Sequence, residues 1–120
     1  MSKFNILTYP DKFLNQPTQP LDNIDGAVQE KIDKMALTMY DAPGVGLAAI
    51  QVGWDKSLLI YDVSPRDESR SLNVLINPKV VTREGEIVSE NEGCLSVPEF
   101  RADVKRAAAI AVEGHDRDGN

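Results

Sequence analysis

The sequence predicts an α+β fold, one long N-terminal helix followed by a mostly antiparallel sheet, and two observations carry that reading. Ile24, Val28, Ile32, Met35 and Met39 recur at three- and four-residue steps with Gln29, Glu30, Lys31 and Lys34 off the stripe, the period of an amphipathic helix. Beyond residue 57 the period shortens, and brief apolar runs alternate with polar turns, which is the pattern of paired strands.

Thr8-Tyr9-Pro10-Asp11-Lys12-Phe13-Leu14 reads as an extended segment that turns at Pro10 into a short helical turn. Pro17 and Pro20 hold the next stretch extended up to Asp22-Asn23, side chains suited to cap a helix over about 24–41. Ala42-Pro43-Gly44 ends that helix, because proline cannot continue the hydrogen-bond ladder and glycine accepts the backbone of a helix stop. Strands are expected at 57–63 and 72–77, separated by the polar loop Arg66-Asp67-Glu68-Ser69-Arg70. Val80-Val81-Thr82 and Glu86-Ile87-Val88 flank Glu84-Gly85, read as a hairpin turn. Alternation from Asp103 to Glu113, with Val104, Ala108, Ile110 and Val112 mostly on one face, predicts a last strand. Asp116-Arg117-Asp118-Gly119-Asn120 then carries a tight-turn signal, since Asp-Gly accommodates positive φ. A turn of that kind calls for a second arm, so the expectation is a chain cut inside a hairpin rather than a frayed polar tail.

At 120 residues, 42% hydrophobic and 27% charged, the chain reads as a single ordinary domain spanning 1–120. No apolar run reaches the ~20 residues of a bilayer span, and Met1-Ser2-Lys3-Phe4-Asn5 lacks the features of a signal peptide, so a cytoplasmic address and no membrane partner are expected. A net charge of −6 argues against a nucleic-acid surface, because phosphate binding draws on Lys and Arg. The single cysteine forms no internal disulfide and suits a reducing compartment.

That leaves Cys94 as a packing thiol, a nucleophile or a metal ligand. Its setting, Glu92-Gly93-Cys94-Leu95-Ser96, puts a carboxylate and a glycine just before the thiol, and glycine lets other backbone approach closely. A nucleophilic thiolate needs a base, and His115, the only histidine, falls in the polar turn region where a solvated loop side chain is the plainer reading. A catalytic metal site needs at least two further protein ligands, which Cys94 and one histidine do not supply. The other conspicuous run is Gly44-Val45-Gly46-Leu47-Ala48-Ala49-Ile50-Gln51. It is neither a dinucleotide fingerprint nor a P-loop, and a packed junction accounts for Leu47, Ala48, Ala49 and Ile50. Gln51 is left over, a neutral amide able to donate to a developing oxyanion.

The two runs, in this order and about 40 residues apart, resemble two of the three signature motifs of the bacterial-type peptide deformylases; the third, an H-E-x-x-H helix, is absent from these 120 residues. The resemblance extends to the Tyr-Pro-Asp segment, the helix ending in Met39-Tyr40, and Leu75-Ile76-Asn77-Pro78 between the motifs, with Ile50 as a mild departure. It implies the deformylase fold without its metal-binding helix, and removal of formyl from N-formylmethionyl nascent peptides. Cys94 would be the thiolate ligand of Fe2+, replaceable by Zn2+, Ni2+ or Co2+, and two histidines and a glutamate base would come from the absent helix. The Gln51 side chain and the Leu95 backbone N–H would stabilise the oxyanion, and backbone at Val45, Gly46 and Gly93 would bind the peptide as an added strand. The partners implied are formylmethionyl peptides and ribosome-associated nascent chains. This portion alone is expected to be inactive, to expose a patch including Leu47, Ile60, Ile76 and Ile110, and to self-associate. Two alternatives stay open beside it, a non-catalytic peptide-binding module of deformylase type and a Cys94 thiol hydrolase or redox protein.

Overall fold

The structure is a computed structural model and describes residues 3–64 and 69–120. Helix α1 spans Gly26–Asp41, and Asp25 caps it by accepting from the Val28 N–H at 3.0 Å. The cap therefore falls later than Asp22-Asn23. Leu21 exchanges two hydrogen bonds with the Asn77 side chain, at 2.8 and 3.0 Å, which ties this stretch to the sheet before the helix begins. The helix stops as expected, with the Gly44 N–H folded back onto Met39 O at 2.7 Å. Upstream, the turn at Pro10 leads into a 3-10 turn over Lys12–Asn15.

Six strands follow: β1 (Gly46–Ala48), β2 (Leu58–Tyr61), β3 (Asn73–Glu84), β4 (Ile87–Cys94), β5 (Val97–Arg106) and β6 (Ala109–His115). One sheet has the order β1-β2-β3-β6, the other is β4-β5, and every pairing between these strands is antiparallel. Glu84-Gly85 is not a hairpin turn, because β3 and β4 lie in different sheets. The ladder Glu84↔Ala109 continues in the same register into Ile87↔Arg106. Strands β3 and β4 thus form one arm of a long ribbon, with β5 and β6 the other, and the ribbon bends where Gly85 (φ +64) faces Ala108. A Cβ on Gly85 would sit 2.9 Å from the Ala108 Cβ, so the corner requires glycine. The same bend divides the single strand expected over 103–113 at Ala107-Ala108. The true reversal is the two-residue turn Leu95-Ser96 between partners Cys94 and Val97.

Val28, Ile32, Met35 and Met39 of α1 pack in one core with Leu47, Ala49, Val52, Trp54, Leu58, Ile60 and Ile76. Ile32, Met35, Met39, Ile60 and Ile76 are fully buried, each contributing about 1.5–3 kcal/mol from its removal from water. The expected exposure of Leu47, Ile60 and Ile76 is corrected by this arrangement, because α1 covers that face of the sheet. Ile110 is exposed, in the company of Val80, Val81, Ile87, Val88 and Val112 on the ribbon. The turn at the end of β6 is ordered by Asp116, whose carboxylate accepts from the Asp118 and Asn120 N–H groups. Arg117 joins it to α1 through Gln29 and Asp33. Of the predicted polar loop, Arg66, Asp67 and Glu68 lie outside the described residues.

Candidate active site at the ribbon tip

Strand β1 leads directly into a 3-10 turn over Ala49–Val52, which Gly53 closes in the left-handed region at φ +82. This turn folds the Gln51 side chain back onto its own segment, where Oε1 accepts from the Ala48 N–H at 3.0 Å. That bond fixes which end of the amide is which. The opposite end, Nε2, is directed at the ribbon tip, 3.0 Å from Ser96 Oγ and 3.5 Å from Cys94 Sγ.

The ribbon brings the second motif to the first across 43 residues of sequence. Cys94 ends β4 with its thiol exposed, and Gly93 beside it is exposed as well. Leu95 lies over Gly44, where a Cβ would come within 2.7 Å of its Cδ1, so glycine at 44 is what lets the tip close down. Ser96 is buried, and its carbonyl accepts from the Tyr9 N–H at 2.7 Å. The N-terminal segment thereby holds both motifs, since the Leu7 N–H donates to Gln51 O at 2.7 Å.

Register shifts on both sides of Glu92 weaken the backbone ladder just before the tip. There the Arg106 guanidinium donates to both Glu92 oxygens, at 3.1 and 2.6 Å, a bidentate pair across the ribbon. This bond from Arg106, with a second from Ser89, lowers the Glu92 carboxyl to about 2, and the Arg106 guanidinium is raised in turn by Glu92.

Val45 and Gly46 lie at the other side of the site. Strand β1 pairs only with β2 and forms an edge of its sheet. Val45 O accepts from the Asp62 N–H at 2.9 Å, so by the alternation of antiparallel ladders the Gly46 N–H and C=O face the open edge. Asp62, just after β2, is buried and accepts from Tyr40 OH at 2.5 Å, from Ser64 N and Oγ, and from Ser71 N. The Ser64 hydroxyl and then the Tyr40 hydroxyl hold its carboxyl well below the usual range. Burial, and next the bond to Asp62, push the Tyr40 phenol up to about 12.

Gln51, Cys94 and Leu95 are thus gathered at one place, with Val45 and Gly46 on the neighbouring edge strand. His115 is an exposed residue at the end of β6, opposite Ile76 and in the other sheet from Cys94, rather than a loop residue. Ser96 and the Tyr40–Asp62 pair were not singled out by sequence. Ser96 lies two residues after the motif cysteine and offered a signal, whereas Tyr40 and Asp62 meet across 22 residues with no local pattern to mark them. Among the described residues no three His, Cys, Asp or Glu side chains come together as a metal cage. The donor set consequently amounts to one thiol and does not by itself hold a metal ion.

The sequence pattern of the polypeptide deformylase family matches residues 3–120. A peptide deformylase of Desulfosudis oleivorans is 56% identical over 119 residues, covering 99% of this chain and 69% of the relative. One from Syntrophobacter fumaroxidans is 51% identical over the same shares of both chains. Among solved structures, a peptide deformylase from Legionella pneumophila superposes with a TM-score of 0.92 at 39% identity, covering 99% of this chain and 69% of that one. The Ehrlichia chaffeensis enzyme in complex with actinonin gives 0.92 at 35% identity, covering 100% and 72%.

Proposed function

The chain belongs to the polypeptide deformylase family, and we propose that the ribbon tip and the turn after β1 are the share of the active centre that these residues contribute. Deformylases are metal-dependent hydrolases acting on formylated nascent peptides. The observation that supports the assignment is the Gln51 amide, pinned at Oε1 by Ala48 and presenting Nε2 beside the Cys94 thiol.

In this reading Cys94 is a thiolate ligand, and a soft sulfur donor suits Fe2+, with Zn2+, Ni2+ and Co2+ as substitutes. Gln51 Nε2 and the Leu95 backbone N–H donate to the oxygen of the formyl carbonyl as it gains charge, a contribution of about 2.7–4 kcal/mol for one such donor. A peptide lies along the open edge at Val45-Gly46 and past Gly93, and its main chain pairs there without regard to sequence. That mode of binding fits an enzyme that meets many different nascent chains at the ribosome, in the cytoplasm. No helix among the described residues is long and apolar enough to cross a membrane.

A polypeptide of these 120 residues alone is expected to release no formate, because its donor set is incomplete, and the exposed apolar row on the ribbon favours its self-association. The test is formate release from formyl-methionyl peptides by these residues joined to an H-E-x-x-H segment and loaded with metal (the metal-loaded enzyme below), carrying Gln51→Ala. A fall of about 10²–10³ in kcat with little change in KM is expected. A rise in KM with kcat unchanged would assign Gln51 to ground-state binding instead.

A further inference from the structure

We infer that Ser96 is a positioning residue for the reaction, holding the Gln51 amide so that one of its two N–H bonds is left for the substrate oxygen. The inference rests on the donor role proposed above for Gln51. A side-chain amide fixed only at Oε1 is free to swing about that single bond, and a donor that swings stabilises developing charge poorly. Here the second fixing point is Ser96 Oγ, 3.0 Å from Nε2. The NH2 group is planar and its two hydrogens diverge. With one taken up by Ser96, the other is donated to Cys94 Sγ, 3.5 Å away, a weak acceptor that a substrate oxygen can replace.

Ser96 is well placed for this task because it is itself immobilised. Its relative exposure is 4%, so water does not readily stand in for the hydroxyl. Its carbonyl is tied to the Tyr9 N–H, and the preceding residue, Leu95, sits over Gly44. A chain of contacts therefore runs from Tyr9 through Ser96 and Gln51 to Ala48, with a glutamine as the one link that faces the exposed thiol. The two-residue reversal at Leu95-Ser96 sets Leu95 over Gly44 and in the same turn delivers the Ser96 hydroxyl to Gln51.

The experiment uses Ser96→Ala, which removes Oγ and adds no bulk, in the metal-loaded enzyme, alone and combined with Gln51→Ala. Alone it should lower kcat about tenfold with KM within about twofold, less than the loss of the donor itself. In the Gln51→Ala background it should have no further effect, since a residue acting only through Gln51 has nothing left to act on. In the metal-free 120-residue protein the two side-chain N–H signals of Gln51 should be well separated in the parent and draw together in Ser96→Ala. The inference is overturned by an equal loss of kcat in both backgrounds, which marks a merely structural serine, or by Gln51 signals that do not move. Unchanged kcat in Gln51→Ala alone would instead remove the donor role of Gln51, and the inference would fall with it.

Discussion

Besides the corner glycine Gly85, Gly44 and Gly114 also meet close neighbours, and of these two the closer contact should be the cheaper one to fill. At Gly44 a Cβ would lie 2.7 Å from Leu95 Cδ1; at Gly114 it would lie 2.9 Å from both Ile76 O and Leu75 Cδ1, with Leu75 Cγ at 3.4 Å. What decides the cost is which atom has to move. Leu95 Cδ1 is the far end of a half-buried side chain and can rotate. Ile76 O belongs to the backbone of β3 at a fully buried residue paired with His115, and it has no such freedom. Overpacking a rigid site costs about 1–3 kcal/mol, whereas replacing glycine by alanine recovers about 0.4–1 kcal/mol from the unfolded chain. Gly114→Ala is therefore expected to destabilise by roughly 1–2 kcal/mol, and Gly44→Ala to be nearly neutral. Activity should rank the other way, because turning the Leu95 side chain off Gly44 removes one of the contacts that hold the tip beside Gln51, while Gly114 is in β6 away from the tip. Urea unfolding midpoints at constant m measure the first ranking, and kcat on formyl-methionyl peptides measures the second. Gly44→Ala proving more destabilising than Gly114→Ala, or leaving kcat untouched while Gly114→Ala lowers it, would refute the reasoning.

Cys94→Ser should abolish most metal binding in the loaded enzyme, since a neutral hydroxyl replaces a soft thiolate; metal content after dialysis checks this, and wild-type occupancy would exclude Cys94 as a ligand. The Tyr40 phenol, pushed up to about 12 in the folded chain from about 10 when unfolded, contributes stability that is complete below pH ~10 and is lost as pH rises toward 12. Tyr40→Phe should remove that alkaline slope in unfolding measurements and leave the neutral-pH m-value unchanged. Glu92 works in the opposite direction: folded at about 2 against about 4.3 unfolded, it stabilises fully above pH ~4.3 and loses that contribution as pH falls toward 2. Glu92→Gln should flatten this acid limb, and an unchanged limb would show that the Arg106 pair does not bear on folding.

The α1 stripe was legible because a helix buries one face by a rule that depends only on spacing, and four of its five marked residues, Val28, Ile32, Met35 and Met39, are buried. Its start was placed about two residues early because Asp22, Asn23 and Asp25 all have side chains able to cap, and Asp25 is the one used. The Leu21–Asn77 bonds that hold the preceding stretch span 56 residues, beyond any local signal. The ribbon failed for the same reason. Glu84-Gly85 has the composition of a hairpin turn, and Gly85 does use positive φ, but a corner and a reversal ask the same of a glycine. What separates them is whether β3 pairs with β4 or with β6, and that is decided by partners more than 20 residues downstream. Likewise the stretch from Asp103 to Glu113 carries no proline or glycine at Ala107-Ala108 to mark where the ribbon bends.

The same long-range pairing explains why the candidate site could be named from sequence and yet not built from it. Gln51 and Cys94 stood out as residues that packing did not account for, but their meeting depends on the ribbon bending and on three ties that close its tip: Tyr9 to Ser96, Gly44 against Leu95, and Gln51 to Ser96. None of the three is strong alone, each being a single hydrogen bond or a single side-chain contact. They act together because register shifts on both sides of Glu92 interrupt the ladder just before the tip, so its position is set by what it touches as well as by its ladder. A tip held in this way can be aimed by small residues, a glycine at 44 and a serine at 96, without any change in the strands that carry it.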